Sequence, residues 1–304
     1  MFDLLVAGEI NPDLILSGNV IPEFGQAEKL VDNATLAVGS SSVIFACGAA
    51  RLGLKVAFIG ICGDDVFGRF MLDEMSKRNV DSSNVIVRPN EQTGLSVILN
   101  QDADRAILTH SGLIATLKES DISDALLSKA RHLHVASYFL QTALQPELPK
   151  LFSRAHSFGL TTSLDTNWDP SNEWLGFDDL LLQVDVFLPN ENEAKAIART
   201  KNVDIALEKL ASKSKLVAVK RGAEGASAQA GGLSISVPSI PVNITDTVGA
   251  GDTFDAGFLF GYLNQWELKK SLRLAAVCGA LSTQFAGGTM GQPTLEEAMK
   301  YVSG

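Results

Sequence analysis

The sequence predicts an α/β protein built on a mostly parallel sheet with helices on both faces. Two observations carry that prediction. Short, almost uninterrupted apolar runs recur at 2–8 "FDLLVAG", 55–61 "KVAFIGI", 132–140 "HLHVASYFL", 161–167 "TTSLDTN", 184–190 "VDVFLPN" and 215–222 "KLVAVKRG". Strands buried on both faces read this way. Between many of these runs lie longer stretches of helical period, among them Ser42–Leu52, Val66–Arg78 and Asn192–Ala198, and that alternation is the mark of helices packed over a parallel sheet.

Two segments depart from the rhythm, 14–38 and 85–108. The second contains "TGLSVILNQDADRAILT", which alternates like an exposed hairpin around an Asp-rich turn. Each leaves a core element and returns to one, so the two are expected side by side as a small β-rich lid on a single domain spanning 1–304. Ordinary surface loops are the competing reading. The last part of the chain, 264–304, reads as two helices separated by the turn "FAGGTMGQP". No internal repeat, low-complexity run or linker interrupts this order.

With 304 residues, 46% hydrophobic and 20% charged, the chain can bury a large core. Its formal net charge of −10 argues against a nucleic-acid or anionic-membrane partner, because an acidic surface gains nothing from counterion release. The first residues carry no basic segment, and Gly8, Asn11 and Pro12 break the opening apolar run. Neither a signal peptide nor a spanning helix is expected there, and the expected location is cytoplasmic. Cys47, Cys62 and Cys278 form no CxxC pair and are read as buried thiols. His132 and His134 share one strand face but lack a third ligand, so no metal site is expected on them.

The chemistry concentrates at 246–254, "DTVGAGDTF". Gly249, Ala250 and Gly251 lead into Asp252 where a helical pattern of Phe254, Gly257, Phe258, Gly261 and Tyr262 begins. Glycines at a helix start let a ligand approach the backbone, and the unpaired N–H groups there suit an anion. An acid in the first turn could be a favourable cap and nothing more. The P-loop pattern GxxxxGK followed by Ser or Thr is absent, and the dinucleotide pattern GxGxxG fails because Phe254 stands where its third glycine belongs. Ligands of open parallel sheets bind outside the carboxyl ends of the strands. The polar residues at those ends are Asn11 and Asp13, Ser137, Asp165 and Asn167, Asn190 and Glu193, and Lys220 to Glu224.

These residues carry a resemblance. "DTVGAGDTFDAGFLFGYL" resembles the C-terminal signature of the ribokinase-like (PfkB) carbohydrate kinases, DTxGAGD followed by a helix. "AGEINPDLI", "ARLGLKVAFIGICGDDVFG", "LDTNWDP", "LPNENEA" and "VAVKRGAEGA" follow in the family's order and approximate spacing over nearly the whole chain. The resemblance implies an ATP-dependent kinase with magnesium and a small-molecule sugar substrate. Asp252 is then the base that takes the substrate hydroxyl's proton, and the N–H groups of Gly249, Ala250 and Gly251 form the hole for the transferring phosphoryl group. Asn190 and Glu193 match the NxxE pattern, with Glu193 organising magnesium through water. Lys220, Gly222 and Gly225 fall in the ATP-contacting segment, where Lys220 and Arg221 depart from the usual residues. Asp246, Val248, Ser282, Phe285, Gly287 and Gly291 match the positions of a potassium site.

At the sugar end, the resemblance assigns Asn11, Asp13, Gly39, Ser40, Asp165 and Asn167 to substrate binding, with Tyr138 expected to line the cleft ahead of Gln141. The pattern frays here. "GSSSVI" places Ser40 at the family's second glycine and Ile44 at its asparagine, while Trp168 and Asp169 stand where relatives that take sugar acids often carry arginine. Asp169 is expected to repel an acidic sugar, and Trp168 either stacks on substrate or packs in the core. A neutral sugar or polyol is the expected acceptor. A nucleoside and a catalytically idle sensor are the alternatives, and a homodimer joined through the lids is expected.

Overall fold

The computed structural model describes residues 1–101 and 104–302. The tip of the Asp-rich turn, Asp102 and Ala103, lies outside the described residues. The chain begins with β1 (Leu4–Ala7), β2 (Pro12–Ser17), β3 (Asn33–Val38), α1 (Ser41–Arg51), β4 (Val56–Ile59), β5 (Ile61–Gly63), α2 (Val66–Lys77), β6 (Val80–Asp81) and β7 (Ile86–Arg88). It continues through β8 (Leu95–Gln101), β9 (Asp104–His110), α3 (Asp124–Leu127), β10 (His132–Val135), α4 (Leu148–Ser157), β11 (Thr161–Leu164), α5 (Phe177–Leu180), β12 (Val186–Phe187), α6 (Glu191–Ile197) and α7 (Val203–Ala211). The last elements are β13 (Leu216–Lys220), β14 (Ala226–Ala230), β15 (Leu233–Val237), α8 (Ala250–Leu263), α9 (Leu268–Ser282) and α10 (Leu295–Val302).

Nine strands form the main sheet in the order β15-β14-β13-β12-β11-β10-β1-β4-β6. Pairing is parallel from β13 through β6 and antiparallel only at β13-β14 and β14-β15. β1 shows why its sequence reads as an unbroken apolar run. Leu4 and Val6 join one core with residues of α1, α8 and α9, whereas Leu5 and Ala7 join a second core with residues of α4 and α7. Both strand faces are therefore dry, and a polar residue in either register would lose its water without gaining a partner.

A second sheet has the order β3-β2-β8-β9, with β2 and β8 parallel and its outer pairs antiparallel. It draws on both of the irregular segments. Its strands, however, run from Pro12 and to His110, and β7 pairs with β5 instead of joining it. Among the described residues no helix is long and apolar enough to cross a membrane.

Candidate active site

The carboxyl ends of β1, β10, β11, β12 and β13 converge on one cleft of about 610 Å³, which the inner face of the second sheet covers on one side. Glu9, Asn11, Asp13, Ser137, Asp165, Asn167, Asn190, Glu193, Lys220 and Asp252 all line it. Parallel strands end on the same side by construction, so residues far apart in sequence meet there.

The N-terminus of α8 opens into this cleft. Gly249 caps the helix at φ 72°, a left-handed conformation that suits glycine, and supplies no side-chain acceptor. A Cβ on Gly249 would sit 2.7 Å from the Gly288 carbonyl oxygen and 2.9 Å from Ile44 Cγ2. Among the described residues no protein acceptor meets the N–H groups of Gly251 or Asp252. Asp252, only 6% exposed, stands in that first turn. Burial pushes its pKa well above the usual carboxylate range, and the charges of Asp165 and Glu9 add to the rise. The Lys220 ammonium and a hydrogen bond from the Ser41 hydroxyl oppose it.

Lys220, the last residue of β13, sends its ammonium beneath the same turn. Its Nζ lies 2.8 Å from Asp165 Oδ2 and 3.0 Å from Asp255 Oδ2, and 3.6 Å from where a Cβ on Gly251 would be. Burial opposes both charges of the Lys220–Asp165 pair. Their mutual attraction outweighs it, holding Asp165 below its ordinary value and Lys220 above its own. Asp255 is pushed well above its ordinary value by burial and by Asp165, and its Oδ1 has no hydrogen-bond partner. Asp165, which also accepts from the Asn167 N–H at 3.2 Å, is the better stabilised carboxylate of the two.

Asn190 and Glu193 form a capping box at the start of α6. The Asn190 side chain accepts from the N–H groups of Asn192 and Glu193, and Glu193 Oε2 accepts from the Asn190 N–H at 2.9 Å. Burial, with Asp165 adding, raises the Glu193 pKa to about 7. No group of three or more potential metal ligands among His, Cys, Asp and Glu occurs among the described residues. This donor set fits magnesium carried mainly by nucleotide phosphates, since that ion keeps several waters and needs few carboxylates. Gly222 lines the cleft, and a Cβ there would meet nothing within 4 Å, which leaves room for a nucleotide against the backbone.

At the other end Asn11 Nδ2 lies 3.4 Å from Ser96 Oγ and 3.5 Å from Asp13 Oδ1. Burial raises the Asp13 pKa to about 7, against the pull of the Arg105 guanidinium and with added repulsion from Asp246 and Glu9. Gly39 lies beneath Asp13, whose Oδ1 would be 2.3 Å from a Cβ there. The Asn167 amide is engaged on both sides, accepting from the Ser137 N–H at 2.9 Å and donating to Ser41 Oγ at 2.9 Å. Ser41 thereby links Asn167 to Asp252.

Sequence reasoning missed Glu9 and Ser41. The Glu9 carboxylate accepts from Ser40 Oγ, the Ser42 N–H, Ser42 Oγ and Ser137 Oγ. The triple serine after Gly39 was the signal, because three hydroxyls at a helix start ask for a buried acceptor.

Several expectations need correction. Tyr138 does not line the cleft. The chain turns at Ser137 (φ 52°), and the Tyr138 ring packs on Phe139 and Phe177 at 5.1 and 5.3 Å while Leu140 takes the cleft position. Asp169 also faces away. Its carboxylate accepts from the N–H groups of Ser171 and Trp174 and holds that loop. Gly225 (φ 93°) is required by the close pass of the chain after β15, where a Cβ would lie 2.1 Å from the Val237 carbonyl oxygen. Ala250 does not line the cleft, and neither does Gly39 itself. Trp168 does, at 53% exposure, with its ring edge-on to Trp174.

The two histidines of β10 are neutral. Burial lowers both pKa values to about 3, and both rings bond to Ser163 Oγ at 2.7 Å. Near the α8 terminus the Asp246 carboxylate accepts from the N–H groups of Val248 and Gly287, at 3.0 and 2.9 Å, drawing the loops of 246–248 and 283–291 together. Gly291 packs on the Ser282 carbonyl, while Phe285 is exposed.

An α/β sheet with a helix terminus and a buried acid at its strand ends defines a class of small-molecule-binding enzyme folds, and comparison narrows it. The chain belongs to the pfkB family of carbohydrate kinases, whose model matches residues 2–295. It is 30% identical to a ribokinase of Lactococcus lactis over 300 residues, covering 98% of this chain and 96% of that one. It is 27% identical to an ATP-dependent ribose-1-phosphate kinase of Halopiger xanaduensis over 305 residues, covering 100% and 99%. The crystal structure of adenosine kinase from Sinorhizobium meliloti superimposes with a TM-score of 0.85 at 25% identity, covering 98% of each chain.

Proposed function

We propose that the protein is an ATP-dependent kinase that phosphorylates a hydroxymethyl group of a neutral sugar or polyol. The observation that carries this reading is the uncapped α8 terminus with Asp252 in its first turn, facing the same cleft as Asn11 and Asp13. Asp252 accepts the proton of the acceptor hydroxyl as the oxygen–phosphorus bond forms. The bond from that phosphorus to the leaving oxygen breaks, so the products are a phosphate ester and ADP. The N–H groups of Gly249 and Gly251, both residues of the cleft wall, face the charge that develops, and Asn11 and Asp13 hold neighbouring hydroxyls. Bound ATP supplies the phosphoryl group, and magnesium, organised by Asn190 and Glu193, neutralises its charge.

The test is a coupled ADP-release screen against pentoses, hexoses, ketoses, polyols and nucleosides, with Asp252→Ala as control. A strong hit that falls by about 10²–10⁴-fold in the variant supports the reading. Undiminished turnover in a folded Asp252→Ala protein overturns it.

A nucleoside acceptor is the second reading. It is favoured by the apolar wall of the cleft, where Ile98, Ile107, Leu140 and Trp168 follow the polar pair Ser96 and Thr109. The same screen separates the two. We further assign the loops around Asp246, Val248, Ser282, Phe285, Gly287 and Gly291 to a potassium site, tested by replacing potassium with a large organic cation in the assay. The second sheet acts as the lid and meets a second copy of the chain, which light scattering checks. Phe24, 99% exposed in the β2–β3 loop, is the apolar group most in need of such cover.

A further inference from the structure

Lys220 stands apart in a cleft lined with carboxylates because it is a cation, only 11% exposed at its side chain, held by two of the buried acids at once, Asp165 at 2.8 Å and Asp255 at 3.0 Å. A solitary surface lysine would gain little from such pairing, but a buried one must be paired, and the protein keeps it beside the residue that precedes Asp252. Acids act on Asp252 from several elements. Glu9 follows β1, Asp165 follows β11, and Asp255 lies one turn further along α8. Against them stand the Lys220 ammonium from β13 and the Ser41 hydroxyl from α1.

We propose that Lys220 is a positioning residue of the phosphoryl-transfer step: clamped between Asp165 and Asp255 beneath the first turn of α8, it is the counter-charge that keeps Asp252 in the carboxylate form a base requires. The inference rests on the reading of Asp252 as the base. It gives the Asp255 carboxyl a role as well. From one turn beyond Asp252 on α8 it holds the ammonium at 3.0 Å, on the helix that carries the base.

The experiment is the pH dependence of kcat/KM, whose acidic limb reports the base of the unliganded enzyme. It uses wild type, Lys220→Met, Lys220→Arg, Asp165→Asn and the double variant Lys220→Met/Asp165→Asn, with ATP affinity followed by calorimetry. Removing the cation should move the acidic limb up by about one pH unit or more, a loss near 10-fold at pH values below the wild-type limb that is recovered at alkaline pH. Lys220→Arg should keep the wild-type limb. Asp165→Asn, which removes a negative neighbour, should move the limb down, and the double variant should return it toward wild type. ATP affinity should change less than about threefold.

An acidic limb unmoved in Lys220→Met overturns the inference, as does a parallel fall in ATP affinity, which would make Lys220 a nucleotide ligand. Should Lys220→Met fail to fold, the double variant is compared with Asp165→Asn: a higher acidic limb in the double variant supports the inference, and equal limbs overturn it. Full activity in Asp252→Ala would defeat the base reading itself. An inactive Asp252→Ala enzyme with an unmoved limb in Lys220→Met would defeat only the role of Lys220.

Discussion

Two helices point their N-termini into the same cleft, and they are finished in opposite ways. α8 begins on Gly249 with no side-chain cap, and among the described residues the N–H groups of Gly251 and Asp252 meet no protein acceptor. α1 begins on Ser40, whose hydroxyl accepts from the Val43 N–H, and the Glu9 carboxylate accepts from the N–H of Ser42. The positive end of α1 is thus already occupied by the protein's own anion, whereas that of α8 is left for another. The contrast explains how a cleft lined with carboxylates can direct an incoming phosphate to one place. It also explains Ser40, held at φ 65° where the family's pattern has glycine. The strain of a side chain in that conformation is offset by the cap it makes.

The comparison can be broken most strongly at Gly249. Gly249→Ala places a methyl against the Gly288 backbone and Ile44, tilting the open terminus. The expected result is a fall in kcat of about 10²-fold, comparable to losing one anion-hole donor, with acceptor KM changed far less. Steady-state kinetics on the variant, with circular dichroism to verify the fold, checks it. Opening the other terminus should act on stability. Glu9→Ala strands the Ser42 N–H and hydroxyl, while Ser40 Oγ keeps the residue 9 carbonyl and Ser137 Oγ keeps Asn167 Oδ1, and the expected loss is about 1–3 kcal/mol in urea unfolding.

The sheet and its helices were legible in the sequence because double burial leaves an unmistakable pattern, as in β1 and β13. The α8 terminus was legible because glycine and acid are demanded by backbone geometry and proton transfer. The features that escaped depend on distant partners. Lys220 was placed in the ATP-contacting segment, but its pairing was hidden because Asp165 and Asp255 are brought to it by β11 and α8. Glu9 reads as a loop acid until α1 turns its serines toward it. Tyr138 was misplaced because one residue with positive φ, Ser137, swings the following side chains by a position. The lid boundaries differed by a few residues because alternation does not tell which sheet a strand joins, and β7 joined another.

A subtler contrast between the two ends of the cleft lies in pH. Asp13 titrates at about 7 in the folded protein against an ordinary 3.8, so between those values the folded state binds more protons than the unfolded one. The contribution of this group to stability is therefore greatest below pH 4, declines as pH rises toward 7, and is level beyond. Asp13→Asn removes that slope. Its melting temperature at pH 8 should exceed that of wild type, while the difference should vanish near pH 4, even though acceptor binding is lost. Thermal melts of both proteins across this range give the sign directly.

The smallest expected effect concerns the two aromatic residues that flank the acceptor end. Tyr138 packs away from the cleft, and its hydroxyl bonds to Gln145, so Tyr138→Phe should cost about 1 kcal/mol of stability and leave the acceptor KM within twofold. Trp168 faces the cleft with its ring edge-on to Trp174, so Trp168→Ala should raise the acceptor KM by about 5–10-fold if its ring lies against the substrate, the value of one aromatic contact. The ratio of the two KM effects is the informative quantity. A large value places the acceptor against the apolar wall formed with Leu140, while equal effects would return the tyrosine to the site and require the chain to leave β10 by a different turn.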